Sequence, residues 1–165
     1  MARTSKAVMI KFYMPSPAVT REVGKIVIRH GHLDYVLRLT IKSLLKISIF
    51  DPLFKEETDK MSSTLRARIK ELASTKLAGH KDVLDQLLAQ IDCAEKLTEL
   101  RNSIVHGVWS RNKTGGAVKL RDTKNDKLHP MPTVKQLRQA ERDIDELLRE
   151  LNRSRLNGKL RQALF

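Results

Sequence analysis

Apolar residues along this chain recur mostly at intervals of three and four, the spacing of helices with one buried face. From Ala18 to about Ser48, Val23, Ile26, Val27, His30, Leu33, Leu37, Ile41, Leu44 and Leu45 form one stripe, which gives way near Asp51-Pro52, where proline stops a helix. A shorter stripe of Leu65, Ile69, Leu72 and Leu77 predicts a second helix, with Ser62 or Ser63 as cap and Gly79 as terminator. The third helix, Lys81 to about Trp109, is the most apolar. Thr133, with Gln136 three residues on, opens the fourth as a capping box. Val134, Leu137, Ala140, Ile144, Leu147, Leu148 and Leu151 line that helix until Asn157-Gly158.

Residues 110–132 break the period. They hold Gly115-Gly116, a short alternation from Val118 to Arg121 and an Asn125-Asp126 turn, which together predict a basic hairpin or loop. The expected fold is therefore all-α, an antiparallel, mostly up-and-down bundle of about four helices with this insertion before the last long one. An N-terminal arm (1–17) precedes the helical domain (18–156), and a short basic tail (157–165) follows.

The third helix is apolar on two sides. Val83, Leu87, Ala94, Leu97, Ile104 and Val108, with Cys93 and Leu100 beside them, follow one side. Leu84, Leu88, Ile91, Glu95, Thr98, Asn102, Val105 and Trp109 follow another. Two such faces need two partners. Either the helix lies centrally in its own bundle, or the second face meets a second copy across a twofold axis, and a homodimer through this helix is the expectation.

Composition narrows the function classes. Hydrophobic residues at 41% and charged residues at 31% are the balance of a folded domain. The most apolar cluster, IKSLLKISIF at 41–50, is interrupted by Lys42 and Lys46 and falls short of the roughly 20 residues that span a bilayer, so no membrane segment is expected. The net charge of +13 favours polyanionic partners, nucleic acid before an anionic membrane surface. Aromatics at 4% are too few for a broad base-stacking platform, so phosphate contacts should dominate any RNA binding. The single cysteine, Cys93, forms no internal disulfide, fits a reducing cytoplasm and reads as a small core residue rather than a nucleophile.

Within RNSIVHGVW at 101–109 the helix exchanges apolar for polar residues. Asn102 and His106 are one turn apart and project together, about 160° from the core stripe. Metal-free RNA cleavage needs a group to take the 2′-hydroxyl proton, a donor for the leaving oxygen and a cation for the phosphate. Histidine serves as base or acid near neutral pH, arginine offers a fixed fork of donors to phosphate, and Asn102 can orient substrate or imidazole. Arg-x4-His alone arises by chance about 0.45 times in a chain of this composition, so its position near the end of an apolar helix carries the weight.

Arg101, Asn102 and His106 within LTELRNSIVHGVW, in an all-helical chain, resemble the HEPN superfamily, and Leu100, Gly107 and Trp109 resemble small prokaryotic members with an R-N-x-x-x-H-G-x-W string. The helical layout extends the likeness over most of residues 18–156. The resemblance implies a homodimeric, metal-independent endoribonuclease that leaves 2′,3′-cyclic phosphate ends. It needs no cofactor and acts as a toxin or as an effector in defence against phage, under an antitoxin or other regulatory protein. Toxins paired with a nucleotidyltransferase antitoxin often carry a tyrosine two residues after the histidine. That position is Val108 here, which lacks the hydroxyl such a partner modifies. Some members bind without cutting, so a non-catalytic module for nucleic acid or a partner protein is the alternative.

Arg111, Lys113, Lys119 and Arg121 in the insertion are the candidates for holding RNA near that site, or equally a solvated rim. His30-Gly-His32 has no companion ligands at a metal-binding spacing and reads as core or surface histidines. Gly115-Gly116 is followed by neither the lysine nor the helix of a phosphate-binding loop.

Overall fold

The computed structural model describes residues 11–111, 119–121 and 128–165. In chain order it contains β1 (Lys11–Phe12), α1 (Pro17–Leu45), α2 (Pro52–Thr58), α3 (Ser62–Lys76), α4 (Lys81–His106), β2 (Val108–Arg111), β3 (Lys119–Arg121), β4 (Leu128–Pro130), α5 (Val134–Leu156) and α6 (Lys159–Leu164). Helices dominate, as the periodicity predicts, and pack as a bundle around α1.

α1 starts where Ser16 accepts a hydrogen bond from the Val19 amide, with Pro17 preset for the first turn. It ends at Lys46, whose left-handed backbone (φ 59°) turns its amide back to the Lys42 and Ser43 carbonyls. Its buried stripe, including Ile26, Leu33, Leu37, Ile41 and Leu44, meets α3, α4 and α5. Each fully buried aliphatic side chain contributes roughly 1.5–3 kcal/mol, so this stripe is a main source of stability. Val27, expected on it, lies at its edge and is exposed.

Cross-helix pairs give the directions. Glu22 meets Arg138, and Arg29 meets Glu141 and Asp145, so α1 and α5 run parallel. Asp82 at the start of α4 meets Lys159 just beyond α5, so α4 runs against α5. Lys70 pairs with Asp92 and Glu95 while Arg66 reaches Thr98, so α3 also runs against α4.

Several local expectations are corrected. Pro52 does not only end a helical pattern but also opens α2, because Asp51 caps the Leu53 amide and proline suits the first turn. Neither Ser62 nor Ser63 caps α3; Met61 holds that position with no side-chain cap, and Ser62 instead donates to Asp34. Cys93 is exposed rather than part of the core, on the side of α4 that faces a groove lined by Asp143 and Glu150 of α5. Burial in that groove, helped by the charge of Asp143, pushes its thiol up and makes it a poorer nucleophile. The C-terminal tail forms α6, tucking Leu160 and Leu164 into the core. The Thr133–Gln136 capping box is present as expected.

The insertion is more than a hairpin. Strands β1 to β4 form one antiparallel sheet in sequence order, and the arm contributes β1, with Phe12 opposite Ser110. The sheet stands at the C-terminal end of α4, beside the polar run.

Candidate functional site

α4 ends at His106, not at Trp109. Gly107 takes the chain off the helix in an extended conformation, and a Cβ there would lie 2.3 Å from the Ser103 carbonyl oxygen and 2.6 Å from Leu120. Only glycine fits this approach. Trp109 then folds back along β2, and its indole N–H donates to the Ile104 carbonyl at 3.1 Å, satisfying one of the orphan acceptors of the helix end. Gly107 and Trp109 thus form a helix stop, each with a physical reason.

Asn102 and His106 lie on the same exposed face, with the partly bared side chain of Val105 beside Asn102. Among the described residues His106 makes no hydrogen bond, which leaves both ring nitrogens open to solvent.

Arg101 points the other way. Its guanidinium is half-buried and donates through Nη1 to Asn102 Oδ1 at 2.8 Å, while Nη2 lies 3.4 Å from His30 Nδ1. His30 is fully buried at 0% exposure, and its Nε2 lies 3.0 Å from the hydroxyl of Thr98, itself 6% exposed. Arg66 donates to the same hydroxyl at 3.1 Å. Asp34 closes the cluster, with one oxygen 3.5 Å from His30 Nδ1 and the other accepting from Ser62. Burial alone would push the Asp34 carboxyl up, but the His30 ring, Ser62 and the Arg101 charge together hold it below the usual carboxylate range. Buried polar groups persist when partnered, and here α1, α3 and α4 each contribute partners.

The structure therefore joins Arg101 directly to Asn102 and places Asn102 with His106 on one face, whereas Arg101 approaches that face through Asn102. His30, Asp34, Arg66 and Thr98 belong to the same site and carry no local motif. The one visible signal was a histidine inside an apolar stripe, which a core reading already absorbed.

The other predicted contacts divide. Lys119 is exposed on β3 and Arg121 half-buried beside Leu120. Arg111 ends β2 opposite Lys11, and Lys113 lies outside the described residues. The second apolar face of α4 is partly covered within the chain: Ile91 and Thr98 are buried, while Glu95, Asn102 and Val105 are exposed. Among the described residues no group of three His, Cys, Asp or Glu side chains is placed to hold a metal ion, and no helix is long and apolar enough to cross a membrane. No family model, curated protein or solved structure matches the chain.

Proposed function

We propose that this protein is a metal-independent endoribonuclease acting through the polar end of α4. The observation that carries the reading is the placing of Asn102 and His106 on one exposed face, with an arginine bonded to Asn102 at 2.8 Å. Around it stands a chain of net charge +13, which attracts RNA at long range.

In this mechanism a phosphodiester sits over the Asn102–His106 face. His106 takes the proton of the 2′-hydroxyl, whose oxygen attacks phosphorus. The bond from phosphorus to the 5′-oxygen breaks, and an imidazolium returns a proton to that leaving oxygen. The products are a 2′,3′-cyclic phosphate and a 5′-hydroxyl. Arg101 balances charge on the phosphate oxygens, and Asn102 orients guanidinium and substrate. A homodimer across the uncovered part of the second α4 face supplies two imidazoles, one as base and one as acid. Lys119, Arg121 and Arg111 hold the strand by its phosphates. By the family resemblance the biological role is that of a toxin or phage-defence effector in the cytoplasm, restrained by a regulatory protein.

The test is chemical. Purified protein incubated with total RNA in EDTA should leave 5′-hydroxyl and 2′,3′-cyclic phosphate ends; 5′-phosphate ends, or a requirement for added divalent metal, would contradict the mechanism. Light scattering on the same sample should give a dimer.

One observation favours a second reading. Much of the Arg101 guanidinium is engaged inside the chain, as an interface or binding residue would be. A non-catalytic module binding nucleic acid or a partner protein predicts RNA retention without turnover, and multiple cleavage events per protein molecule exclude it.

A further inference from the structure

At the junction of α1, α3 and α4 one ring nitrogen faces both a donor and an acceptor. Thr98 gives its single hydroxyl proton to the Ala94 carbonyl at 2.7 Å, so toward His30 Nε2 and Arg66 Nη1 the same oxygen accepts. Nε2 of His30 therefore carries a proton. Nδ1 lies 3.4 Å from Arg101 Nη2, a group that only donates, and 3.5 Å from Asp34 Oδ2, which as a carboxylate only accepts. It serves one of them at a time.

We propose that His30 is the positioning residue for Arg101, and that the proton on its Nδ1 decides whether the guanidinium is held beside Asn102 or released. With Nδ1 bare, Arg101 is fixed between His30 and Asn102, and the second N–H of each Nη is left to meet a phosphate. With Nδ1 protonated, the ring donates to Asp34 and confronts the guanidinium with a like charge. The surrounding charges bias this choice. Arg66 of α3 reaches the ring through Thr98, Ser62 of α3 holds the far oxygen of Asp34, and α5 directs Glu141 and Asp145 to Arg29 rather than leaving that residue unpaired.

The inference rests on the reading of Arg101 as the phosphate-binding group of an RNA site. It predicts that acidification weakens the handling of RNA. Protonation elsewhere raises the positive charge and strengthens attraction to a polyanion, while protonation of His106 removes the base, so the effect of His30 on cleavage is read as a ratio to a variant that lacks the ring.

Two measurements test it. Ring-nitrogen NMR on the full wild-type chain, followed through a pH titration, should show that the neutral His30 ring carries its proton at Nε2. As Nδ1 takes a proton, the side-chain N–H signals of Arg101 should broaden. The opposite tautomer, or Arg101 signals indifferent to the ring proton, overturns the proposal. For the second measurement, His30→Gln keeps a donor for Thr98 and an acceptor for Arg101 but takes no proton. The ratio of its RNA cleavage rate to that of the wild type should rise about tenfold across the pH interval in which the NMR shows Nδ1 taking its proton. A ratio independent of pH overturns the proposal while leaving the nuclease reading intact. If neither protein cleaves RNA, the nuclease reading fails and the NMR result still decides whether His30 positions Arg101.

Discussion

The two ends of α4 solve different problems. Its N-terminal two-thirds bury Val83, Leu87, Ile91, Ala94 and Leu97 in the common core, where non-directional apolar contact suffices. From Thr98 onward the same helix turns polar. There Thr98 is bonded by His30 and Arg66, and Arg101 by His30, residues contributed by two other helices. One region tolerates any well-fitting hydrophobe, while the other needs particular atoms at particular distances. A helix end that gathers side chains from three helices around one half-buried arginine is a costly way to gain stability and a reasonable way to fix a guanidinium.

Substitutions can separate the two regions. Ile91→Ala should have the largest effect on folding, a loss of about 2–5 kcal/mol in denaturant titration, because it opens a cavity at a fully buried position. Its effect on RNA should go no further than the folded fraction lost. Gly107→Ala should cost about 3 kcal/mol, since the added Cβ meets the Ser103 carbonyl and the Leu120 side chain, and it should loosen both the helix end and the sheet.

Thr98→Val sharpens the contrast. It keeps shape and removes the hydroxyl that accepts from His30 and Arg66, so stability should fall by about 1–2 kcal/mol. RNA cleavage should fall more than stability explains, since Arg101 loses its anchored neighbour. Equal falls at matched folded fraction would place Thr98 in the structural region.

Asp34 gives the smallest expected effect and a signature in pH. Its carboxyl is held below the usual range in the folded chain, so it contributes stability that is present above the unfolded carboxylate pKa and is lost as pH falls through the lowered folded value. Asp34→Asn should therefore be less stable than wild type near neutral pH, and the gap should close in acid. A gap constant across that range would show that the charge of Asp34 contributes nothing.

What could be read from residues alone follows the same division. The core stripes of α1, α3, α4 and α5 were legible because burial of apolar groups leaves a period of 3.6 in the sequence. The Thr133–Gln136 cap was legible because both partners lie within one turn. Asn102 and His106 on one face followed from spacing alone. The partners of Arg101 did not, because His30 is 71 residues away and a histidine in an apolar stripe looks like any core residue. The overshoot of α4 to Trp109 has a local cause: Val108 and Trp109 continue the apolar spacing, while the close approach at Gly107 that ends the helix depends on Leu120 from a different strand. The exposure of Cys93 is hidden from the sequence for a related reason. Its angle sits beside the core stripe, and only the position of α5 decides that this edge faces a groove.

The most direct test of the central claim is RNA cleavage by His106→Ala, measured beside its thermal unfolding midpoint. Because His106 is exposed and makes no hydrogen bond among the described residues, the midpoint should not move. The cleavage rate should fall by about 10²–10⁴, the contribution of a general acid or base. A variant that cleaves RNA at the wild-type rate would contradict the account.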